Sequence, residues 1–313
     1  MAPINPMNIN SLNRSLCLFA VLFLLAFQGY ISEVSAAPYR AQKIAIIGSS
    51  TAVGTGATDY AHAWAGLYTT YLKTLNSTNV VVNLAVGGYT TYHELPTGTI
   101  NPGNRPAVDA AHNITAALAT HPDVVIVNLP SNDAANGYAE WETETNFLKI
   151  AAACQASNVP VWIATSQPRN LSVAGKTNLI HVKDWIFAAF PDRSLDFWTT
   201  IANADGSINA TYGSGDGIHL NNAGHQILYN RVVASRLYEL VSGPRTLTIQ
   251  PTNEAWSIGF DTLPGIDYLL ESSPDFAGWQ TETNTIGDGK VASLSISATN
   301  TAAFFRLRLE AAP

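Results

Sequence analysis

The chain has 313 residues, a formal net charge of −7, only 12% charged residues and 47% hydrophobic ones. An acidic chain with so few cations excludes nucleic acid as a partner, because phosphate contacts need clustered Lys and Arg. Its length permits two domains.

In the first residues, Arg14 precedes an apolar run from Leu16 to Phe27, and Val34-Ser35-Ala36 offers small residues for cleavage. This pattern predicts a secretory signal over residues 1–36, cut near Ala36 or Ala37. The run is shorter than the roughly 18 to 20 apolar residues a spanning helix needs. The expected mature chain has no membrane span and is secreted or periplasmic. Cys17 follows Arg14-Ser15-Leu16, unlike the cysteine of a lipoprotein signal. Loss of the signal leaves Cys154 alone, so no disulfide forms within the chain. Cys154 lies among alanines with no basic neighbour, which suits a small buried hydrophobe.

From Lys43 onward, short apolar runs alternate with longer helical patterns, the signature of βα units building a parallel sheet. Five strands are predicted, over Lys43 to Gly48, Val80 to Val86, Asp123 to Pro130, Val159 to Thr165 and Ser194 to Thr199. The last helix of this region begins at Asn221 or Asn222 and carries apolar residues at helical spacing as far as Val241, before Gly243-Pro244 stops it. The α/β domain is placed at residues 41–242, with a joint at Ser242 to Arg245. Beyond it, in residues 246–313, six short strands separated by turn residues predict a small all-β, sandwich-like domain. They are Thr246 to Pro251, Ala255 to Thr262, Asp267 to Ser273, Trp279 to Thr283, Val291 to Ser297 and Ala302 to Leu309.

Four short segments carry the chemistry. Ser50 follows the first strand directly, where a hydroxyl is lifted to the carboxyl edge of the sheet; alternatively Ser49, Ser50 or Thr51 caps the next helix. In Asp216-Gly217-Ile218-His219 a carboxylate stands three residues before an imidazole, close enough to hold Nδ1–H and leave Nε2 free for a serine proton. The other reading is an Asp-Gly turn with an exposed histidine. Gly88, after the second strand, lets a backbone N–H approach a ligand, or makes a plain tight turn. Asn132, after the third strand, offers a side-chain donor or ordinary turn chemistry.

In order and spacing, Gly48-Ser49-Ser50, Gly87-Gly88, Ser131-Asn132-Asp133 and Asp216-Gly217-Ile218-His219 resemble the four blocks of the SGNH or GDSL hydrolases. The resemblance spans about Lys43 to Val241 and implies a flavodoxin-like three-layer α/β sandwich on a five-stranded parallel sheet. It also implies that Ser50 is the nucleophile, His219 the base and Asp216 its orienting acid. Gly88 and Asn132 would complete an oxyanion hole with the Ser50 backbone N–H. The chain departs from the pattern at Ser49, where the family has Asp, and at Pro130, where glycine commonly precedes the Asn-Asp pair.

No phosphate cofactor is expected, since the glycine-rich run Gly48 to Gly56 lacks Gly-Lys-Ser/Thr and Gly54-Thr55-Gly56 lacks a third glycine. No metal is expected either: His-Glu-x-x-His is absent, and Asn203, Asp205 and Ser207 make only part of a calcium loop. The likeness and the export signal favour short acyl, chiefly acetyl, esters of carbohydrates, either small molecules or polysaccharide. Tyr89 and Tyr92 either stack on a sugar ring or pack against a neighbouring helix. The alternatives are a lipase or thioesterase for longer acyl chains, or a catalytically silent glycan-binding adhesin. The β module either contacts glycan through Trp256 or Trp279 or, as Trp256 in Ala-Trp-Ser-Ile-Gly-Phe suits, packs them as scaffold.

Overall fold

The computed structural model of the chain describes residues 41–243, 247–252, 255–297 and 304–312. The expected signal segment, with Cys17, lies outside the described residues, as do Pro244 and Arg245 of the expected joint. The chain divides into two compact units, the first Ala41–Ser235 and the second running from Arg236 to the end.

In the first unit, strands β1 (Lys43–Gly48), β2 (Val80–Asn83), β3 (Val124–Asn128), β4 (Val161–Ala164) and β5 (Ser194–Leu195) form one sheet in the order β2-β1-β3-β4-β5. Every pairing is parallel. This is the flavodoxin-like strand order, whose switch point lies where β1 and β3 diverge. Because side chains alternate across a strand, the apolar runs feed both faces. Ala45, Ile47, Val125, Val127 and Ile163 face one layer, where they pack with Ile114 and Ala117 of α3 (Ile114–Ala119), Phe147, Ile150 and Cys154 of α5 (Glu140–Ala156), and Val182 and Ile186 of α6 (Val173–Ala189). The alternate residues Ile44, Ile46, Val124 and Ile126, all fully buried, face the opposite way. Helices α2 (Trp64–Leu75) and α7 (Asn222–Ala234) pack on each other, burying Trp64, Leu72, Leu228 and Val232. Each large apolar side chain withdrawn from water in this way contributes about 1.5–3 kcal/mol.

Four of the five expected strands end early. At β5 the cause is local: the Asp196 carboxylate accepts the N–H groups of Trp198 and Thr199, both at 2.9 Å, and folds the chain into a turn. The long terminal helix is also two helices. Arg236 takes a left-handed backbone, φ 54°, which separates α7 from α8 (Leu237–Ser242).

The second unit holds two three-stranded antiparallel sheets. One has the order β10 (Val291–Ser297), β7 (Ala255–Asp261), β6 (Leu247–Pro251), and the other β11 (Phe304–Ala311), β8 (Ile266–Ser273), β9 (Gln280–Ile286). Their buried residues alternate along the strands, as in Ile258 and Phe260, or Ile266, Tyr268 and Leu270. The rings of Phe260 and Tyr268 meet at 5.1 Å, joining the two sheets in one core. A buried ion cluster crosses the second sheet, where Glu271 accepts from Arg306 at 2.6 Å and from Arg308 at 2.7 Å.

Candidate active site

The carboxyl ends of four parallel strands converge on Ser50. It opens the short helix α1 (Ser50–Val53) directly after β1. Ser49 stands at the cap position, but no hydroxyl caps this helix. The Ser50 hydroxyl lies 3.0 Å from His219 Nε2 instead.

His219 belongs to the loop before α7, and its Nδ1 lies 2.5 Å from Asp216 Oδ2. The other Asp216 oxygen accepts the N–H groups of Ile218 and His219, each at 2.8 Å, and the Ser214 hydroxyl at 3.1 Å. Burial opposes ionisation of Asp216, but the N–H and imidazole of His219, then the Ile218 N–H, outweigh it and hold the carboxyl well below the usual range. A carboxylate beside Nδ1 fixes the tautomer with its proton on Nδ1, leaving Nε2 to accept from serine. The loop comes this close because of a glycine: a Cβ on Gly56 would stand 2.3 Å from the Leu220 carbonyl oxygen and 2.8 Å from His219 Cβ, at a φ of 96°.

Beside Ser50 runs the irregular connection from β2 to α3. A Cβ on Gly87 would lie 3.9 Å from Ser50 Cβ, and Gly88 follows with φ 85° and open space around it. Among the described residues, neither the Ser50 nor the Gly88 N–H has an acceptor. Asn132, in α4 (Ser131–Ala135) after β3, donates from Nδ2 to the Tyr89 carbonyl at 2.8 Å and accepts on Oδ1 from Arg169 Nη1 at 2.8 Å. The structure thus brings all five residues singled out in the sequence, Ser50, Gly88, Asn132, Asp216 and His219, to one sheet edge.

The tyrosines divide. Tyr92 is 5% exposed within the main core, and its hydroxyl donates to Glu142 of α5 at 2.6 Å. Its ring therefore offers no face to a sugar, and the stacking role expected for it is corrected to core packing. Tyr89 is half-buried, stacked on His93 with centroids 4.3 Å apart, and its hydroxyl donates to Asp109. In the second unit Trp279 lies beneath the Arg306 guanidinium, 4.2 Å from ring centroid to Cζ, and Trp256 is half-buried in β7.

Further residues steady this edge, and two of them, Arg105 and Glu94, carry no sequence signal. Arg105 clamps Glu142 with two bonds, at 2.8 and 2.9 Å, tying the β2–α3 connection to α5. Its guanidinium beside Glu142 holds that carboxyl down at about 2, against opposing burial. Fully buried Glu94 accepts the Gly48 N–H at 3.0 Å, just ahead of the Ser50 turn, and burial raises its carboxyl well above the ordinary range. Asp133, equally buried, accepts the Thr91 hydroxyl at 2.5 Å, and burial pushes it up to about 7. His225 is structural: Nδ1 faces the Trp64 N–H at 3.3 Å, Nε2 faces the Thr55 carbonyl at 3.3 Å, and burial lowers it to about 4. Cys154 is fully buried, its thiol pushed up to about 12.

Among the described residues no group of three or more His, Cys, Asp or Glu could hold a metal. Asp205 pairs instead with Lys176 at 2.5 Å. No helix of the described residues is long and apolar enough to cross a membrane.

Residues 46–227 match the family model described as GDSL-like lipase/acylhydrolase. The chain belongs to the GDSL-like lipase/acylhydrolase family. Solved structures similar to this GDSL-family chain include the psychrotrophic esterase EstA from a Pseudoalteromonas species, 17% identical with a TM-score of 0.47, covering 62% of this chain and 96% of that one. A catalytic mutant of an acetylxylan esterase from Geobacillus stearothermophilus is 15% identical with a TM-score of 0.48, covering 64% of this chain and 96% of the other. A two-domain esterase active on acetylated mannans is 12% identical with a TM-score of 0.44, over 87% of this chain and 91% of that one. No curated protein matches the chain.

Proposed function

We propose that this GDSL-family protein is an exported serine ester hydrolase that works through an acyl-enzyme on Ser50, with short acyl esters of carbohydrates as substrates. The observation that carries this reading is the continuous line from the Ser50 hydroxyl to His219 Nε2 at 3.0 Å and from His219 Nδ1 to Asp216 at 2.5 Å.

His219 takes the Ser50 proton as the oxygen attacks an ester carbonyl, and Asp216 stabilises the imidazolium that forms. The carbonyl oxygen becomes an oxyanion, met by the Ser50 and Gly88 N–H groups and by the second Nδ2 proton of Asn132. His219 then protonates the departing alcohol. Water, activated by the same imidazole, releases the acid and restores Ser50.

The surroundings support a small acyl group on a polar alcohol. Gly87, Gly88 and Asp216 are exposed, and the neighbouring side chains of Asn132, Arg169 and Asn170 are polar. A long acyl chain would need apolar walls to leave water. Packing under Arg306 favours a scaffold role for Trp279 over glycan contact.

Ser50→Ala is expected to abolish hydrolysis of p-nitrophenyl acetate while leaving the fold intact; activity equal to wild type would remove the assignment. A panel from acetate to octanoate esters, with acetylated sugars, tests the substrate class. Preference for octanoate would favour the lipase or thioesterase reading.

A further inference from the structure

The loop after β4 contributes a residue to this site from its outer side. Gln167 to Asn170 touches both halves of the constellation. The Asn170 N–H donates to the Gly217 carbonyl at 2.8 Å, inside the Asp216 to His219 turn, while Arg169 Nη1 donates to Asn132 Oδ1 at 2.8 Å. Asn132 is thereby held at both ends of its amide, with Tyr89 accepting from Nδ2. An asparagine amide is close to symmetric in shape, so only its partners decide which end faces a ligand. A guanidinium on Oδ1 can only donate, so it forces oxygen toward itself and Nδ2 toward the Tyr89 carbonyl, next to Gly88 in the chain.

Arg169 is half-buried and has no carboxylate within ion-pair distance among the described residues. Its cost of burial is therefore not offset by a direct ion pair, although Asp216 is close enough to act on it through space. A charge-assisted bond also draws electron density toward Oδ1 and makes the Nδ2 protons better donors.

We infer that Arg169 is a positioning residue for ester hydrolysis, which orients and polarises the Asn132 amide as an oxyanion donor. The inference rests on the Ser50 reading above. An interaction that acts only on the developing oxyanion lowers kcat when removed and leaves ground-state binding alone.

The test is a double-mutant cycle on p-nitrophenyl acetate with the full chain, using Arg169→Ala, Asn132→Ala and the pair. Because removal of one whole oxyanion donor costs roughly 100- to 1,000-fold, its misorientation in Arg169→Ala is expected to lower kcat about 10- to 100-fold. KM should stay within about 3-fold, and the pair should lie within about 3-fold of Asn132→Ala alone. Arg169→Lys, which keeps the charge but offers a point donor in place of a fork, should recover part of the loss. It carries the same cycle if the alanine variant does not fold.

A loss that falls on KM, or persists at full size in the Asn132→Ala background, would overturn the assignment. The first of these results would point to direct contact with an anionic substrate. Ser50→Ala checks the underlying reading separately: full activity there removes both inferences, whereas its loss together with an additive cycle removes only this one.

Discussion

Replacing Asp216 by Asn tests the orienting acid with the least disturbance to its loop. The carboxylate does two jobs: one oxygen receives the N–H groups of Ile218 and His219, and the other faces His219 Nδ1 at 2.5 Å. Asparagine can keep the first job with Oδ1, but it then turns Nδ2 toward the ring. The amide donor would pull the imidazole into the tautomer protonated on Nε2, which cannot accept from Ser50 at 3.0 Å. The charge lost can be bounded separately. Unit charges about 4 Å apart attract by about 1 kcal/mol in water and about 4 kcal/mol at an effective dielectric of 20.

The Asp216 side chain is 46% exposed, so screening favours the lower part of that range. A loss of about 2 kcal/mol at the imidazolium corresponds to roughly 30-fold in rate. Adding the wrong tautomer, kcat of Asp216→Asn should fall by about 100- to 10,000-fold with little change in KM. Steady-state kinetics on p-nitrophenyl acetate, with circular dichroism as a check on folding, supplies the measurement. An Asp216→Asn enzyme within about 3-fold of wild type would refute the reasoning, since His219 would then need no anionic partner.

Three further outcomes are expected. Gly88→Ala meets no atom within 4 Å, but its φ of 85° is strained for any Cβ by about 1–2 kcal/mol. The reorientated N–H should cost about 100-fold or more in kcat with a small shift in Tm, and unchanged turnover would remove Gly88 from the oxyanion hole. Arg105→Ala strands the Glu142 carboxylate, whose side chain is 7% exposed, and should cost about 3 kcal/mol in chemical denaturation. Because Glu142 is held down at about 2, the stabilisation Arg105 gives wild type should be full above about pH 4.5 and fade as the pH falls toward 2. Two buried groups tilt stability in opposite senses. His225, lowered to about 4, contributes fully above about pH 6.5 and loses its contribution as pH falls through 4. Asp133, raised to about 7, contributes fully below about pH 4 and loses its contribution as pH rises through 7, so Asp133→Asn should flatten that decline while His225→Gln flattens the acid one.

The parts of the molecule that can be read from sequence are those whose causes are local. Val80 to Asn83 and Val124 to Asn128 are β-branched runs that suit a doubly covered sheet, and both become strands. Asp216 and His219 lie three residues apart, so one turn brings them together without long-range help. Ser194 to Thr199 also reads as a strand, yet a single carboxylate, Asp196, takes the N–H groups that pairing would have used. The apolar spacing to Val241 says helix, and nothing in it announces the left-handed backbone at Arg236. Arg169, Glu94 and Arg105 stay hidden for another reason. Their partners stand 37, 46 and 37 residues away, so only the folded sheet makes them neighbours. The aromatic Tyr92 misleads because nearness in sequence to Gly88 does not say which way its ring turns.

Cys154 offers a use outside catalysis. In a chain lacking the first 40 residues it is the sole sulfhydryl, and it sits fully enclosed beneath the α5 side of the sheet. A thiol-specific dye can reach it only when the first unit opens, so the labelling rate counts opening events of that unit alone. A loosening confined to the β sheets after Arg236 would leave that reporter silent, whereas one that reached the parallel sheet would set it off.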